Sequence, residues 1–177
     1  MKSLRILAVA LFVFLAGAGS VNAQKVGYVN IDGLVGLLPE IAGVQTKLDA
    51  YTKDSVGGEY DRLRAEYDRT DSIVKNSKTK SLVDAAQRDR DGIAGVLAQW
   101  QQRGQQLIQQ KQAELLQPLY KKVMDAVTAV SKEKAYSHVM DPGVFVIAPP
   151  GDDLTPAVAT KLNVKLPATY KPGINHD

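Results

Sequence analysis

The chain has 177 residues, with 22 Lys and Arg against 19 Asp and Glu, two His and no Cys. That length fits one ordinary domain, or a small domain carrying an extension. The absence of Cys excludes a disulfide framework, a thiolate metal site and a thiol nucleophile, and His138 and His176 are too few for a multi-histidine metal centre.

Residues 1–23 have the three parts of a secretory signal. Lys2 and Arg5 open the chain, residues 6–15 are apolar and uncharged, and a small, polar stretch ends with Val21 and Ala23 at the positions a signal peptidase inspects. The apolar run is too short to cross a bilayer, which takes about 20 residues. Cleavage between Ala23 and Gln24 is expected. It leaves residues 24–177, and removing Lys2 and Arg5 lowers the formal charge from +3 to +1. An exported chain without Cys has to be stabilised by packing or by self-association.

Residues 25–30 (Lys-Val-Gly-Tyr-Val-Asn) read as a short strand. Asp32 suits the N-cap of a helix over residues 33–38, which Pro39 ends. No proline follows until Pro118. In between, apolar positions recur at Ile41, Val44, Leu48 and Tyr51, then at Val56, Tyr60, Leu63, Tyr67, Thr70 and Val74. This is a heptad-like seam with one phase skip near residues 56–58. Residues 76–81 are turn-like, and a sparser seam follows at Ile93, Leu97, Trp100, Gly104, Leu107 and Lys111. Pro39 and Pro118 lie equally far from that turn, so folding back there predicts an antiparallel helical hairpin. Arms of about 36 residues reach roughly 54 Å, whereas a globule of this size has a radius of gyration of about 15 Å. The hairpin is therefore expected to project.

Beyond Pro118, which either opens a new helix or kinks a continuous one, Leu119, Val123, Ala126, Val127 and Val130 mark a helix to about residue 135. Residues 136–140 suggest a strand, Asp141-Pro142-Gly143 a turn, and residues 144–147 a second, more buried strand. Thr155 and Pro156 start a last helix to about residue 162. The expected organisation is α+β: a leader (1–23), a body (24–40 and 118–163), a hairpin arm (41–117) and a flexible tail (164–177). Such a body is small for an independent core, and the arm seams are thin, so a homo-oligomer is expected.

Catalytic patterns are missing. Ser137, His138 and Asp141 are neighbours in sequence, but strand alternation is expected to separate the first two. No Gly-flanked nucleophile turn occurs. The reading is no enzyme, no cofactor and no metal. A basic stripe with interleaved aromatics is also absent, which argues against nucleic acid. Two features remain. Val56, Tyr60, Leu63, Tyr67, Ile93, Leu97, Trp100 and Leu107 form a scattered apolar surface that either contacts a client or zips the two arm helices together. Lys75, Lys78 and Lys80 place three positive charges at the arm tip, as an anionic-membrane contact or as a solvated turn.

The opening strand, the polar hairpin, residues 115–123 (Leu-Leu-Gln-Pro-Leu-Tyr-Lys-Lys-Val), residues 129–141 and the closing Asp153-Leu154-Thr155-Pro156 element, in this order, resemble the Skp/OmpH family of periplasmic chaperones. The resemblance spans the mature chain except its tail. It implies a homotrimer on a small β-barrel-like oligomerisation body. Helical arms would enclose unfolded outer-membrane proteins in the periplasm and prevent their aggregation without ATP. One departure is charge: relatives are strongly basic, whereas residues 61–91 carry eight Lys/Arg against seven Asp/Glu. The alternative from another class is an exported coiled-coil adaptor of the cell envelope.

Overall fold

The computed structural model describes residues 24–173. The expected leader, with Ala23 at its cleavage point, lies outside the described residues. The fold is mostly helical with a small strand pair. Strand β1 (Val26–Tyr28) pairs in parallel with β2 (His138–Met140), Val26 opposite His138 and Tyr28 opposite Met140. On its other side Tyr28 bridges to Asp153, and the Leu154 N–H donates to the Tyr28 carbonyl at 2.8 Å. The Gly27 position is crowded: a Cβ there would lie 2.8 Å from the Tyr136 ring and 3.1 Å from the Asp152 carbonyl oxygen.

Helix α1 (Ile31–Gly36) follows β1. Its cap is Asn30, whose Oδ1 accepts from the Gly33 N–H at 2.7 Å, and the expected cap Asp32 sits inside the first turn. Asn30 also donates its N–H to Thr155 Oγ1 at 3.1 Å, joining the start of α1 to the last helix. Helix α2 (Ile41–Ala50) runs directly into a π-helical segment, Tyr51–Gly57, and then α3 (Gly58–Asn76). A π turn holds one more residue than an α turn. It therefore absorbs the phase skip of the seam and keeps Val56 buried.

After a short turn in which Ser77 Oγ accepts the Thr79 N–H at 3.2 Å, α4 (Lys80–Ala98) returns along α3. Helix α5 (Trp100–Glu133) continues for 34 residues, a length of about 51 Å. Pro118 lies inside it, exposed, and the helix is not broken there. An interior proline costs about 3 kcal/mol. The apolar face that follows it, Leu119, Val123, Ala126, Val127 and Val130, offsets that cost by burial. Ala135 takes a left-handed φ of 55° and the Tyr136 N–H reaches back to the Ser131 carbonyl at 2.8 Å, which ends α5 and turns the chain into β2.

The core gathers these α5 residues with Val29, Leu34, Val35 and Leu38 from the first segment, Tyr136, and Leu154, Val158 and Ala159 around α6 (Thr155–Lys161). Two expectations fail. Residues 144–147 form no strand and are not the more buried segment: Val144 is 68% exposed, Ile147 83%, and Val146 fully so, with only Phe145 packing inward, on Tyr28. A 3₁₀ turn, Pro142–Val144, takes up the start of this stretch, and the strand propensity of Val and Ile is not realised by pairing with β1 or β2. Residues 164–173 also do not behave as a loose tail. Asn163 adopts a φ of 56°, the Val164 N–H bonds the Ala159 carbonyl, and Val164 and Leu166 pack on the core.

Gly27→Ala should lower stability by about 1–3 kcal/mol through overpacking against Tyr136. Urea denaturation that leaves the midpoint unchanged would contradict this reading of the β1 contact.

Candidate functional site

The arm holds the residues expected to matter. Its antiparallel register is visible in four contacts. Lys111 lies over the Tyr51 ring at 5.7 Å, Val56 faces Gly104, Tyr60 meets Trp100 with ring centroids 6.4 Å apart, and Arg90 pairs with Asp71 at 3.2 Å. Gly104 makes this approach close: a Cβ there would sit 3.2 Å from Val56 Cγ1, a tight contact. At Gly58, Gly92 and Gly95 a Cβ would meet nothing within 4 Å. These three glycines serve no packing within the protomer.

The eight candidate apolar residues divide by burial. Val56 and Trp100 are buried and act as the zip of the arm. Leu63, Tyr67, Ile93, Leu97 and Leu107 are half-buried, and Tyr60 is exposed at the edge of the Trp100 contact. Two apolar residues outside the seam are exposed as well: Leu82 near the tip and Val96 on α4. The spacing rule selects the seam, so it passes over residues that stand off it.

Charge on the arm is largely neutralised by short-range pairs. Arg62 bonds Glu59 at 2.7 Å and reaches Glu66 at 3.4 Å, Arg64 pairs with Asp68 at 3.5 Å, and Arg69 with Glu66 at 3.9 Å. The hydrogen bond from Arg62 holds the Glu59 carboxyl below the usual carboxylate range. Asp71 is the hub of the only ion pair linking α3 to α4 among the described residues. It accepts from Lys75 at 2.5 Å and from Arg90 at 3.2 Å. The Lys75 hydrogen bond first, and then Arg90, lower its pKa.

The tip is therefore less basic than its lysines suggest. Lys75 is committed to Asp71, and Lys80 pairs with Asp84 at 3.0 Å. Lys78 has no ion-pair partner among the described residues. At the body end, Tyr120 donates to Asp32 Oδ1 at 2.7 Å, which raises the tyrosine pKa, and Lys122 pairs with Glu40 at 2.5 Å. These contacts fasten α5 to the first segment.

The Ser137 and His138 side chains meet after all, with Ser137 Oγ 3.1 Å from His138 Nδ1, because both sit at the frayed start of β2 rather than inside an alternating strand. Ser137 Oγ also donates to the Lys25 carbonyl at 3.1 Å, and Asp141 spends Oδ1 on the Gly143 N–H at 2.8 Å. The three do not line up as nucleophile, base and orienting acid. Among the described residues there is no cluster of three metal-ligating side chains, and no helix is long and apolar enough to cross a membrane.

A family model described as "Outer membrane protein (OmpH-like)" matches residues 25–162. The chain belongs to the OmpH-like family. No curated protein matches it. Among solved structures, the OmpH-like chain is similar to a candidate outer membrane chaperone (OmpH-like) from Caulobacter crescentus CB15. The two share 18% identity over 88% of this chain and 93% of the other, with a TM-score of 0.49. The OmpH-like match stops at Leu162, so residues 163–173 lie beyond it.

Two measurements probe the arm. Gly92→Ala and Gly95→Ala should each stabilise it, by up to about 1 kcal/mol, whereas Gly104→Leu should destabilise it by about 1–3 kcal/mol. Thermal melts showing the same sign at all three positions would contradict the packing. The second concerns pH. Asp71 has a lowered folded pKa, so its contribution is complete above the unfolded value of 3.8 and is lost as pH falls through the lower, folded value. The Asp71 side-chain carboxyl carbon resonance should therefore hold its shift from neutral pH down to the ordinary carboxylate range and move only below it, a readout not shared with Asp91, which Arg90 also binds at 3.0 Å. Movement already near neutral pH would refute the pairing.

Proposed function

We propose that the protein is an ATP-independent periplasmic holdase whose helical arms enclose unfolded outer-membrane β-barrel proteins and keep them from aggregating. Family membership supports a chaperone role, and the observation that carries the finer reading is the arm itself. It is long and polar, zipped by few buried residues, with its remaining apolar side chains spread singly along it. Such a surface offers an unfolded chain many weak contacts and no deep trap. Enclosure would block the strand-to-strand pairing through which unfolded barrels aggregate.

In this reading residues 24–40 and 118–163 form the body and residues 41–117 the arm. The body works as a homotrimer with a barrel-like centre, built on the open outer edge of β2 and the exposed Val144, Val146 and Ile147 beside it. Large exposed apolar side chains grouped this way mark an association surface. The leader directs export, and the mature protein is not an enzyme. Near-neutral charge on the arm supports a grip by enclosure and diffuse apolar contact, with Lys78 as a weak anchor to anionic lipid.

Diluting a denatured outer-membrane β-barrel protein into buffer tests the proposal. Light scattering should be suppressed once the chaperone reaches one trimer per client, with no nucleotide added. Scattering that is unaffected at a several-fold excess would leave an envelope adaptor as the better reading.

A further inference from the structure

The entry to β1 is fastened at Lys25. Its carbonyl accepts the Ser137 N–H at 2.9 Å, the His138 N–H at 3.3 Å and the Ser137 hydroxyl at 3.1 Å. Its ammonium lies 3.9 Å from the centre of the Tyr136 ring, a cation–π contact. The same ring packs on the Gly27 position, and its hydroxyl donates to Asp152 Oδ1 at 3.0 Å. An extended chain puts Lys25 and Gly27 on one face, so one aromatic ring clamps both.

Gln24 stands just outside this clamp. It is exposed, belongs to no helix or strand, and makes no hydrogen bond among the described residues. The carboxylates around the clamp are already engaged. Asp152 accepts from Tyr136. Asp153, which lines a cavity with Lys25 and Lys134, takes the Thr155 N–H at 2.8 Å and the Tyr170 hydroxyl. Cleavage after Ala23 makes Gln24 the first residue. Its new α-amine and its own side-chain amide then share one residue that the fold leaves unrestrained.

We propose that Gln24 of the mature chain is a modification site, where the N-terminal glutamine closes to pyroglutamate. The neutral α-nitrogen attacks Cδ of its own side chain. The N–Cδ bond forms, the Cδ–Nε2 bond breaks, and one proton passes from the α-nitrogen to Nε2, which leaves as ammonia. No oxidant, metal or second substrate enters. An α-amine titrates at about 8, so roughly a tenth of it is neutral and nucleophilic at neutral pH. No ladder bond of β1 is lost, because the pairing begins at the Lys25 carbonyl. The ring takes one positive charge off the chain end beside Lys25. It also leaves an aminopeptidase no free amine one residue ahead of the clamp. The proposal rests on the leader reading above.

Mass spectrometry tests it. The full chain is expressed with its leader in an exporting bacterium, recovered from the periplasm and incubated at neutral pH beside a free peptide of residues 24–30. The recovered chain should begin at Gln24, weigh one ammonia less than that sequence and resist amine labelling at its first residue. Any fraction still open at recovery should close at the same rate as the peptide, because nothing in the fold holds Gln24. A Gln24→Ala chain should keep its full mass and its labelled amine. Loss of ammonia from that variant would place the reaction at another residue and overturn the proposal. A recovered chain that begins at Gln24 but keeps its ammonia while the peptide cyclises defeats the modification alone. A recovered chain that begins elsewhere defeats the leader reading, and the modification with it.

Discussion

Everything in this molecule hangs on α5. One 34-residue helix supplies the returning wall of the arm at its start and the largest share of the body core at its end. Trp100 and Gly104 face the first arm helix, and Leu119 through Val130 face α1 and α6. Because the helix is unbroken, arm and body are covalently and mechanically one piece on that side. Pro118 sits at the crossover between the two roles, where its missing N–H and ring clash would be expected to break a helix. The buried face after it, and the Tyr120–Asp32 and Lys122–Glu40 contacts beside it, hold the helix together through that point.

The arm shows the opposite economy. Its two helices meet through few buried residues, among them Val56, Thr70, Ala86, Trp100 and Gly104, and one ion-paired link at Asp71 and Arg90. Most of its charges are satisfied along their own helix, at spacings of three or four residues, so they solubilise the arm without gripping the opposite helix. Exposed pairs of this kind contribute little to stability. The arm is thus held by shape at a handful of positions, and the remaining surface is left free for other contacts.

Much of this was legible in the residues. The 3-4 spacing of apolar positions, and prolines placed equally about a polar turn, pointed to a hairpin with its reversal near residues 76–81, because those signals depend only on helix periodicity. The phase skip between Tyr51 and Val56 was legible as a skip but not as a π turn, since a loop or a change of seam would leave the same mark. Partners far apart in sequence were not legible. The choice of Asn30 over Asp32 as the α1 cap depends on Thr155, which holds the Asn30 N–H. The exposure of residues 144–147 depends on how little of the rest of the chain packs over them, which strand propensity cannot report. The docking of residues 163–173 follows from the Asn163 turn and from Asp153 and Ala148, none of which announces itself in a segment rich in proline and lysine. The distinction between Trp100 as a zip and Leu82 or Val96 as open surface likewise needs the fold, because periodicity identifies the seam and not what the seam leaves outside.

The central claim is that an unfolded client is held by the arm and not by the outer surface of the body. Photo-crosslinking tests it with a reactive side chain placed at Leu82 or Val96 on α4 and, as the contrast, at Met124 on the body half of α5, all three exposed. With a denatured outer-membrane β-barrel protein present, adducts are predicted at Leu82 and Val96 and none at Met124. Adducts at Met124 alone, or none anywhere while the client stays soluble, would contradict the account.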